Sequence, residues 1–173
     1  MAFFLLKRLW EFRSNAIAEF YLHIRPLLED PQVQELGNYI QHNCHSRLNH
    51  CLDVAYVSFF IAKLLGWDCK SAARGGLLHD LFLYDRKENK PEAQGHLRRH
   101  PIIALENARK VCTLNKVEEN IIRRHMWLIT LVPPRYKEGY IVTFVDKYCA
   151  LREAIISYRN SRRTPALPVV GAA

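Results

Sequence analysis

The sequence contains neither of the glycine-rich loops that bind nucleotide phosphates. Only seven of its 173 residues are glycine, and they form no GxGxxG and no GxxxxGK[ST] pattern. In Rossmann and P-loop folds these loops bind phosphate through backbone amides. Their absence argues against both folds, so any phosphate chemistry in this chain has to use another kind of site.

Cysteine pairs with metal-binding or redox spacing are also missing. The five cysteines are an odd number and form no CxxC pair. This usage is typical of reduced thiols rather than of a disulfide framework or a zinc ribbon. We therefore expect a cytoplasmic protein.

No apolar run is long enough to span a membrane. The apolar N-terminus, residues 1–10, is too short, and its basic residues Lys7 and Arg8 follow the apolar run, whereas a signal peptide has them first. We expect a first helix packed on the core or on a partner subunit, with an interfacial membrane anchor as the alternative.

The charge balance favours anionic partners. The chain has 25 basic and 17 acidic residues, a net charge of +8. Such a field attracts phosphorylated metabolites, nucleic acid or an acidic membrane surface. The sign of the charge narrows the partner but does not identify a reaction.

Helical periodicity dominates the chain and predicts an all-α fold. Apolar residues are 49% and charged residues 24% of the composition, close to the globular average, and no repeat or composition shift divides the chain. We expect one compact helical domain over residues 1–159 and a mobile basic tail over 160–173. Helices are predicted over 14–29, 48–65, 69–82, 101–112, 115–127 and 137–159.

Several capping signals set these helix ends. We expect Ser14 to cap the first of these helices and Asp30-Pro31 to separate it from the next. Gly66 is predicted to end the helix over 48–65, which is apolar on two faces and should be the most buried. Asp68 and Asn115 are predicted caps.

Several polar residues occur where the helical pattern predicts buried apolar ones. His50 and Asp146 lie on apolar stripes, and His79 and Asp80 are adjacent in an apolar stretch. His100 and His125 occupy comparable helical positions. Because an unpaired buried carboxylate costs several kcal/mol, these groups need a cation or several donors. A mixed nitrogen and oxygen set suits a first-row divalent metal such as Fe, Mn, Co, Ni or Zn.

The order of these residues resembles the HD superfamily of metal-dependent phosphohydrolases. The matching stretches are SRLNHCLDVA at 46–55, LLHD at 77–80 and TFVDK at 143–147. The resemblance covers about residues 45–155 and implies an all-α helical bundle, here with extra N-terminal helices. It further implies one metal bound by His50, His79, Asp80 and Asp146, with Asp80 bridging to a second metal bound by His100 and His125.

The resemblance also implies the chemistry. One or two metal ions would activate water to hydrolyse a phosphomonoester, a phosphodiester or a nucleotide, with a small phosphorylated or nucleotide substrate. His79, Asp80 and Lys147 are the expected catalytic residues, and Arg47, Arg99 and Lys147 are expected to contact the phosphate. The alternative is a non-catalytic, metal-containing module that senses a nucleotide or binds a partner. Nucleic acid is not an expected partner, and a homo-oligomer remains open.

Overall fold

The computed structural model describes residues 2–40, 45–85 and 95–163, with side chains from Ser14 to Arg162. Within these ranges the protein is all-α, as predicted, with seven α-helices and no strand. The helices are α1 (Ala2–Leu28), α2 (Pro31–Glu35), α3 (Arg47–Leu64), α4 (Cys69–Leu78), α5 (His96–Val111), α6 (Lys116–Arg124) and α7 (Lys137–Arg163), and a 3-10 turn (Leu36–Asn38) follows α2.

Helices α3 and α4 form the centre of the bundle. The Ser46 hydroxyl caps α3 by accepting from the Asn49 amide at 3.2 Å. Gly66, at φ +67°, lies just beyond its C-terminal end, and Asp68 caps α4, as predicted. The two helices approach so closely at Gly76 that a Cβ atom there would lie 2.9 Å from Ala55 Cα. Only glycine fits this contact without displacing a helix.

Two apolar clusters pack on opposite sides of α3, which explains the two apolar faces of its sequence. One cluster joins α1, α3, α4 and α5 and includes Phe20 and Phe59. The other joins α3, α4, α6 and α7 and includes Val54, Ile121 and Val142. This arrangement fixes the ends of α4, α5 and α6 around one face of α7.

Helix α1 differs from the sequence-based prediction at its start. Ser14 does not cap a helix, because α1 runs without a break from Ala2. Serine is tolerated inside a helix when the flanking residues continue the hydrogen-bonded backbone. The Asp30-Pro31 boundary is confirmed, since Asp30 Oδ1 accepts from the Gln32 amide at 2.8 Å and Pro31 begins α2.

Helix α4 is shorter than predicted and ends at Leu78 rather than at Phe82. The apolar pattern continues beyond Leu78, but the chain turns there, with the Phe82 amide donating to the Asp80 carbonyl at 2.8 Å. His79 therefore caps the end of the helix, and Asp80 lies in the turn that follows. The prediction that both residues lie inside a helix is wrong.

The later helices also shift their ends. Helix α5 begins at His96 rather than at Pro101, because Gly95 at φ +65° starts it, and Pro101 lies inside the helix. Asn115 caps α6 with a complete capping box, as predicted, but α6 ends at Arg124. Helix α7 continues to Arg163, so residues 160–163 are helical rather than part of a tail. The expectation of a mobile tail over 164–173 lies outside the described residues.

Candidate metal centre

The six histidine and aspartate residues singled out in the sequence meet at one place in the bundle. His50 comes from α3, His100 from α5 and Asp146 from α7, whereas His79 with Asp80, and His125, follow the ends of α4 and α6. Five of them form two groups whose ligand atoms lie within 4.8 Å of one another: His50, His79 and Asp146, and His79, Asp80 and His125. His100 adjoins the second group, with Nε2 3.3 Å from Asp80 Oδ1.

The first group is centred on one oxygen of Asp146. Its Oδ1 atom lies 3.1 Å from His50 Nε2 and 3.6 Å from His79 Nε2. The Asp146 side chain is 13% exposed, so it opens toward solvent on one side, while both imidazoles are buried. This group can offer two nitrogens and an oxygen to one cation.

The second group is centred on Asp80, whose two oxygens face different histidines. Oδ1 lies 3.3 Å from His100 Nε2 and 3.5 Å from His125 Nε2, whereas Oδ2 lies 3.7 Å from His79 Nε2. Asp80 thus lies between the first group and the pair of His100 and His125. Its two oxygens therefore lie near histidines on both sides.

Backbone carbonyls determine which ring nitrogen carries the proton in three of these histidines. Nδ1 of His79 lies 2.7 Å from the Gly76 carbonyl, that of His100 lies 2.8 Å from the His96 carbonyl, and that of His125 lies 2.8 Å from the Ile122 carbonyl. Because a carbonyl only accepts, each Nδ1 is the donor, and in the neutral ring each Nε2 lone pair points into the cluster.

These lone pairs fit a divalent cation. His100 Nε2 and His125 Nε2 are 2.9 Å apart, and in their neutral forms neither can donate to the other. His79 Nε2 is buried and has no hydrogen-bond partner among the described residues. Three convergent imidazole nitrogens with two carboxylates suit a first-row divalent metal, and carbonyl-bound Nδ1 atoms are the usual support for histidine ligands.

The charges in the cluster are strongly coupled. Burial opposes a charge on His50, but hydrogen bonds to Asp146 and Glu153 outweigh it and raise the pKa of His50 to about 10. Burial opposes ionisation of Asp146, but the hydrogen bond from His50 and the electrostatic attraction of a protonated His79, 3.6 Å away, outweigh it and lower the pKa of Asp146 far below its usual range. Burial and the charges of His79 and His100 lower the pKa of His125 to about 3. His125 therefore offers a neutral nitrogen.

Glu153 supports this centre and was missed in the sequence. Its Oε1 atom accepts from His50 Nδ1 at 2.9 Å, and its side chain is 1% exposed. Glu153 follows Asp146 by two helical turns, so both carboxylates lie on the same face of α7. The seven-residue spacing from Asp146 could have identified Glu153 in the sequence. A glutamate on the same buried helix face as a candidate metal ligand needs a polar partner.

The three expected phosphate contacts differ in their placement. Lys147 lines the pocket beside the cluster, with Nζ 3.5 Å from Asp146 Oδ2 and donating to the His125 carbonyl at 3.2 Å. Arg99 is exposed on α5, and its side chain is not part of the described lining of this pocket.

Arg47 contacts the backbone rather than the pocket. It is 1% exposed and donates to the carbonyls of Phe82 at 2.5 Å and Tyr84 at 3.1 Å. Its guanidinium also stacks 3.6 Å from the centre of the Phe82 ring. These contacts stabilise the turn after Asp80, and the phosphate contact of Arg47 stays a prediction.

The cluster opens into a pocket of about 170 Å³. Besides the metal-ligand candidates and Lys147, its described lining consists of His96 and four apolar side chains, Leu97, Met126, Ile129 and Ala150. The His96 ring stacks on His100 with a centroid distance of 4.4 Å, and its Nδ1 lies 2.9 Å from the Tyr84 hydroxyl. A small ligand can therefore reach the cluster through this pocket.

An all-α bundle in which histidines and aspartates from five segments meet at one place could hold a metal ion. The HD domain family model matches residues 47–151, which is more than half of the chain. The chain belongs to the HD domain family. No match was found among curated proteins or among solved structures. Within the described ranges, no helix has the length and apolar character needed to cross a membrane.

Proposed function

We propose that the protein is a metal-dependent phosphohydrolase that acts on a small phosphoester or nucleotide. The observation that carries this proposal is the pair of Nε2 atoms of His100 and His125, 2.9 Å apart with both Nδ1 atoms engaged by carbonyls. Membership of the HD family supports the proposal, because the family is commonly one of metal-dependent phosphohydrolases.

We assign one ion to His50, His79, Asp80 and Asp146, and a second to His100 and His125 with Asp80 between them. Divalent Fe, Mn, Co, Ni or Zn would supply positive charge for the phosphoryl oxygens and lower the pKa of a water molecule toward ~7. The protein needs no nucleophile of its own under this scheme. The three imidazoles with carbonyl-bound Nδ1 atoms act as neutral ligands, and Glu153 fixes the orientation of His50.

Lys147 is the residue best placed to bind the phosphoryl group. Its Nζ atom is anchored by the His125 carbonyl, and its side chain remains 32% exposed at the pocket. An ammonium group in this position can neutralise an oxygen of the substrate while charge develops on it. Leu97, Met126, Ile129 and Ala150 contact the remainder of the substrate and exclude water from it.

The thiols support a cytoplasmic location for this activity. Cys51, Cys69, Cys112 and Cys149 are all free, and none forms a disulfide within the described residues. Free thiols of this kind are typical of a reducing compartment. We propose a small molecule as the substrate in that compartment, in keeping with a pocket of about 170 Å³.

The test is turnover by the metal-loaded protein. Generic phosphoesters, nucleotides and dinucleotides are assayed with Mn²⁺ or Fe²⁺, with His79→Ala and Asp80→Ala as inactive controls. Lys147→Gln should lower kcat about 10- to 100-fold without changing the bound metal measured by elemental analysis. Arg99→Gln tests the remaining phosphate contact expected from the sequence and should raise KM if that contact forms.

The same assay can also identify the alternative function, a non-catalytic binding module. A protein that binds metal at the cluster but hydrolyses none of these substrates is a binding module that senses a nucleotide or a partner. Nucleotide binding that requires the metal and is lost in His79→Ala would identify such a module. Either result distinguishes the two functions on the same preparation.

A further inference from the structure

The outward face of α7 carries a line of five large apolar side chains. Phe144, Tyr148, Leu151, Ile155 and Tyr158 are each between 49% and 62% exposed. They follow one another at intervals of four, three, four and three residues. This spacing is typical of the seam through which one helix packs against another along its length.

The C-terminal end of α7 has little support from its own chain. Beyond Glu153, no described side chain from residue 154 to residue 162 is buried. This segment continues a helix that is already formed, so each of its residues adds a backbone hydrogen bond, but most helical stability in proteins comes from packing of an apolar face. The exposed Ile155 and Tyr158 leave such a face available to a contact outside the domain.

An apolar groove lies beside the other end of the same line. It has a volume of about 380 Å³ and is lined by Ile61, Leu65, Trp67, Tyr140, Phe144 and Val145. Lys137 is the only charged residue among its described lining, and its ammonium packs 4.7 Å from the centre of the Trp67 ring. Phe144 belongs both to the groove and to the apolar line, so the two surfaces are continuous.

We propose that two copies of the protein pair through α7 in antiparallel orientation, with the two-fold axis at Leu151. Residues 154–162 of each copy then lie along the groove of the other. Phe144 and Tyr158 are both seven residues from Leu151, or ~10.5 Å along the helix, so each aromatic ring meets its counterpart. The same contact supports the C-terminal end of α7 in one copy and covers the groove of the other copy. Two-fold symmetry repeats this contact with the two copies exchanged.

The distribution of charge selects the antiparallel orientation. The acidic residues of α7, Glu138, Asp146 and Glu153, are buried or belong to the metal cluster. Its described outer charges are Lys137 in the groove, Lys147 beside the metal cluster, Arg152, which pairs with Asp53, and the exposed Arg159 and Arg162. In a parallel pair, each exposed arginine would lie next to the same arginine of the other copy. No acidic side chain of α7 would compensate this repulsion. The antiparallel pair separates the two Arg159 residues by ~24 Å along the axis, beyond the screening length of ~8 Å. It leaves one like-charge approach on each side, between Arg162 of one copy and Lys137 in the groove of the other, whereas the parallel pair opposes Arg159, Arg162 and Lys137 each to itself.

The size of the surface is sufficient for a dimer. Five large side chains that are about half exposed contribute ~100 Å² each, or ~500 Å² per copy. The line alone therefore buries ~1,000 Å² in total, which is the lower limit for a specific interface, and the groove adds to it. This proposal does not depend on the metal centre or on hydrolysis.

The test is the mass of the protein in solution. Light scattering at ~100 μM should give twice 20.2 kDa for the wild type. Leu151→Glu should give 20.2 kDa with an unchanged helical circular dichroism spectrum, because Leu151 is 62% exposed. The matched control, Leu22→Glu on α1, replaces a leucine that is 74% exposed outside α7 and should remain dimeric.

A monomeric wild type, or a Leu151→Glu protein that stays dimeric, overturns the proposal. If Leu151→Glu loses helical structure, Tyr158→Lys makes the same test in the segment that has no buried side chain. That variant should also be monomeric.

Cross-linking tests the orientation. Leu151→Cys should form a disulfide between copies on oxidation, because the axis brings the two residues together. Phe144→Cys should form none above the background of the oxidised wild type, whereas a mixture of Phe144→Cys and Tyr158→Cys proteins should cross-link. A disulfide between two Phe144→Cys chains, or a dimer in which Leu151→Cys fails to cross-link, would overturn the antiparallel arrangement.

Discussion

The Nε2 atoms of His100 and His125 lie 2.9 Å apart while the Nδ1 atom of each ring donates to a backbone carbonyl. Two neutral imidazoles in this arrangement present lone pairs to each other. When both rings are neutral, solvent does not screen the repulsion between these lone pairs, because both rings are buried. A cation that accepts both lone pairs removes this unfavourable contact, which couples metal binding to the stability of the fold.

Removal of metal should therefore lower the melting temperature. An ion present at a hundred times its Kd stabilises the folded state by ~2.7 kcal/mol, which corresponds to a shift of ~5–10 °C for a chain of this size. Differential scanning fluorimetry of chelated protein, before and after addition of Mn²⁺, measures the shift. The His125→Ala protein should respond much less, whereas His45→Ala, outside the cluster, should respond like the wild type. An equal response in His125→Ala would contradict the coupling.

Glu153 should control the affinity of the first metal group. Glu153→Gln keeps an oxygen near His50 Nδ1 but removes the charge that makes His50 a stronger ligand, and we expect about tenfold weaker metal binding. Glu153→Ala also removes the acceptor and should weaken binding up to about a hundredfold. Competition with a chromogenic chelator gives the affinities.

Glu106→Gln is the control for this pair, because Glu106 is exposed on α5 away from the cluster. The metal affinity of Glu106→Gln should equal that of the wild type. Wild-type affinity in both Glu153 variants would show that the contact with His50 is not part of metal binding.

The difference between the ligands and Glu153 shows what the sequence can predict. His50 and Asp146 stood out because a polar residue interrupted an apolar helical stripe. Glu153 is followed by Ala154 and the exposed Ile155, so the local pattern gave no contrast. Its partner His50 is 103 residues away, and a contact of that separation appears only when the helices are packed.

The helix ends also show which features can be predicted from the local sequence and which cannot. The caps at Asp30, Asp68 and Asn115 were predicted correctly because a side chain bonds to an amide two or three residues away. The end of α4 was wrong because the apolar run continues through Phe82, while the Phe82 amide donates to the Asp80 carbonyl instead of to Leu78, in a turn whose Phe82 carbonyl accepts from Arg47 on another helix. A local pattern cannot report a hydrogen-bond partner that comes from elsewhere in the chain.

Replacement of Arg47 should therefore affect stability more than substrate binding. Arg47→Met retains a stem of similar length but leaves the carbonyls of Phe82 and Tyr84 without its guanidinium. We expect the free energy of unfolding to fall by about 2–4 kcal/mol, as for loss of buried hydrogen bonds to a charged group. Urea denaturation measures this change, and Arg98→Met, at an exposed position of α5, is the control. A raised KM with unchanged stability would instead support the phosphate contact expected from the sequence.

The free energy of unfolding should be equally sensitive to a substitution at Gly76, where α3 and α4 approach closely. In Gly76→Ala, the new methyl group would lie 2.9 Å from Ala55 Cα, a backbone atom that cannot yield without moving α3. We expect a loss of about 1–3 kcal/mol in the free energy of unfolding. Metal affinity should fall as well, because the Gly76 carbonyl orients His79. Gly37→Ala is the matched control, since its methyl group would meet only the flexible Leu48 side chain at 3.9 Å. If Gly76→Ala unfolds at the same urea concentration as Gly37→Ala and binds metal normally, the two helices are less tightly packed at this point than the structure indicates.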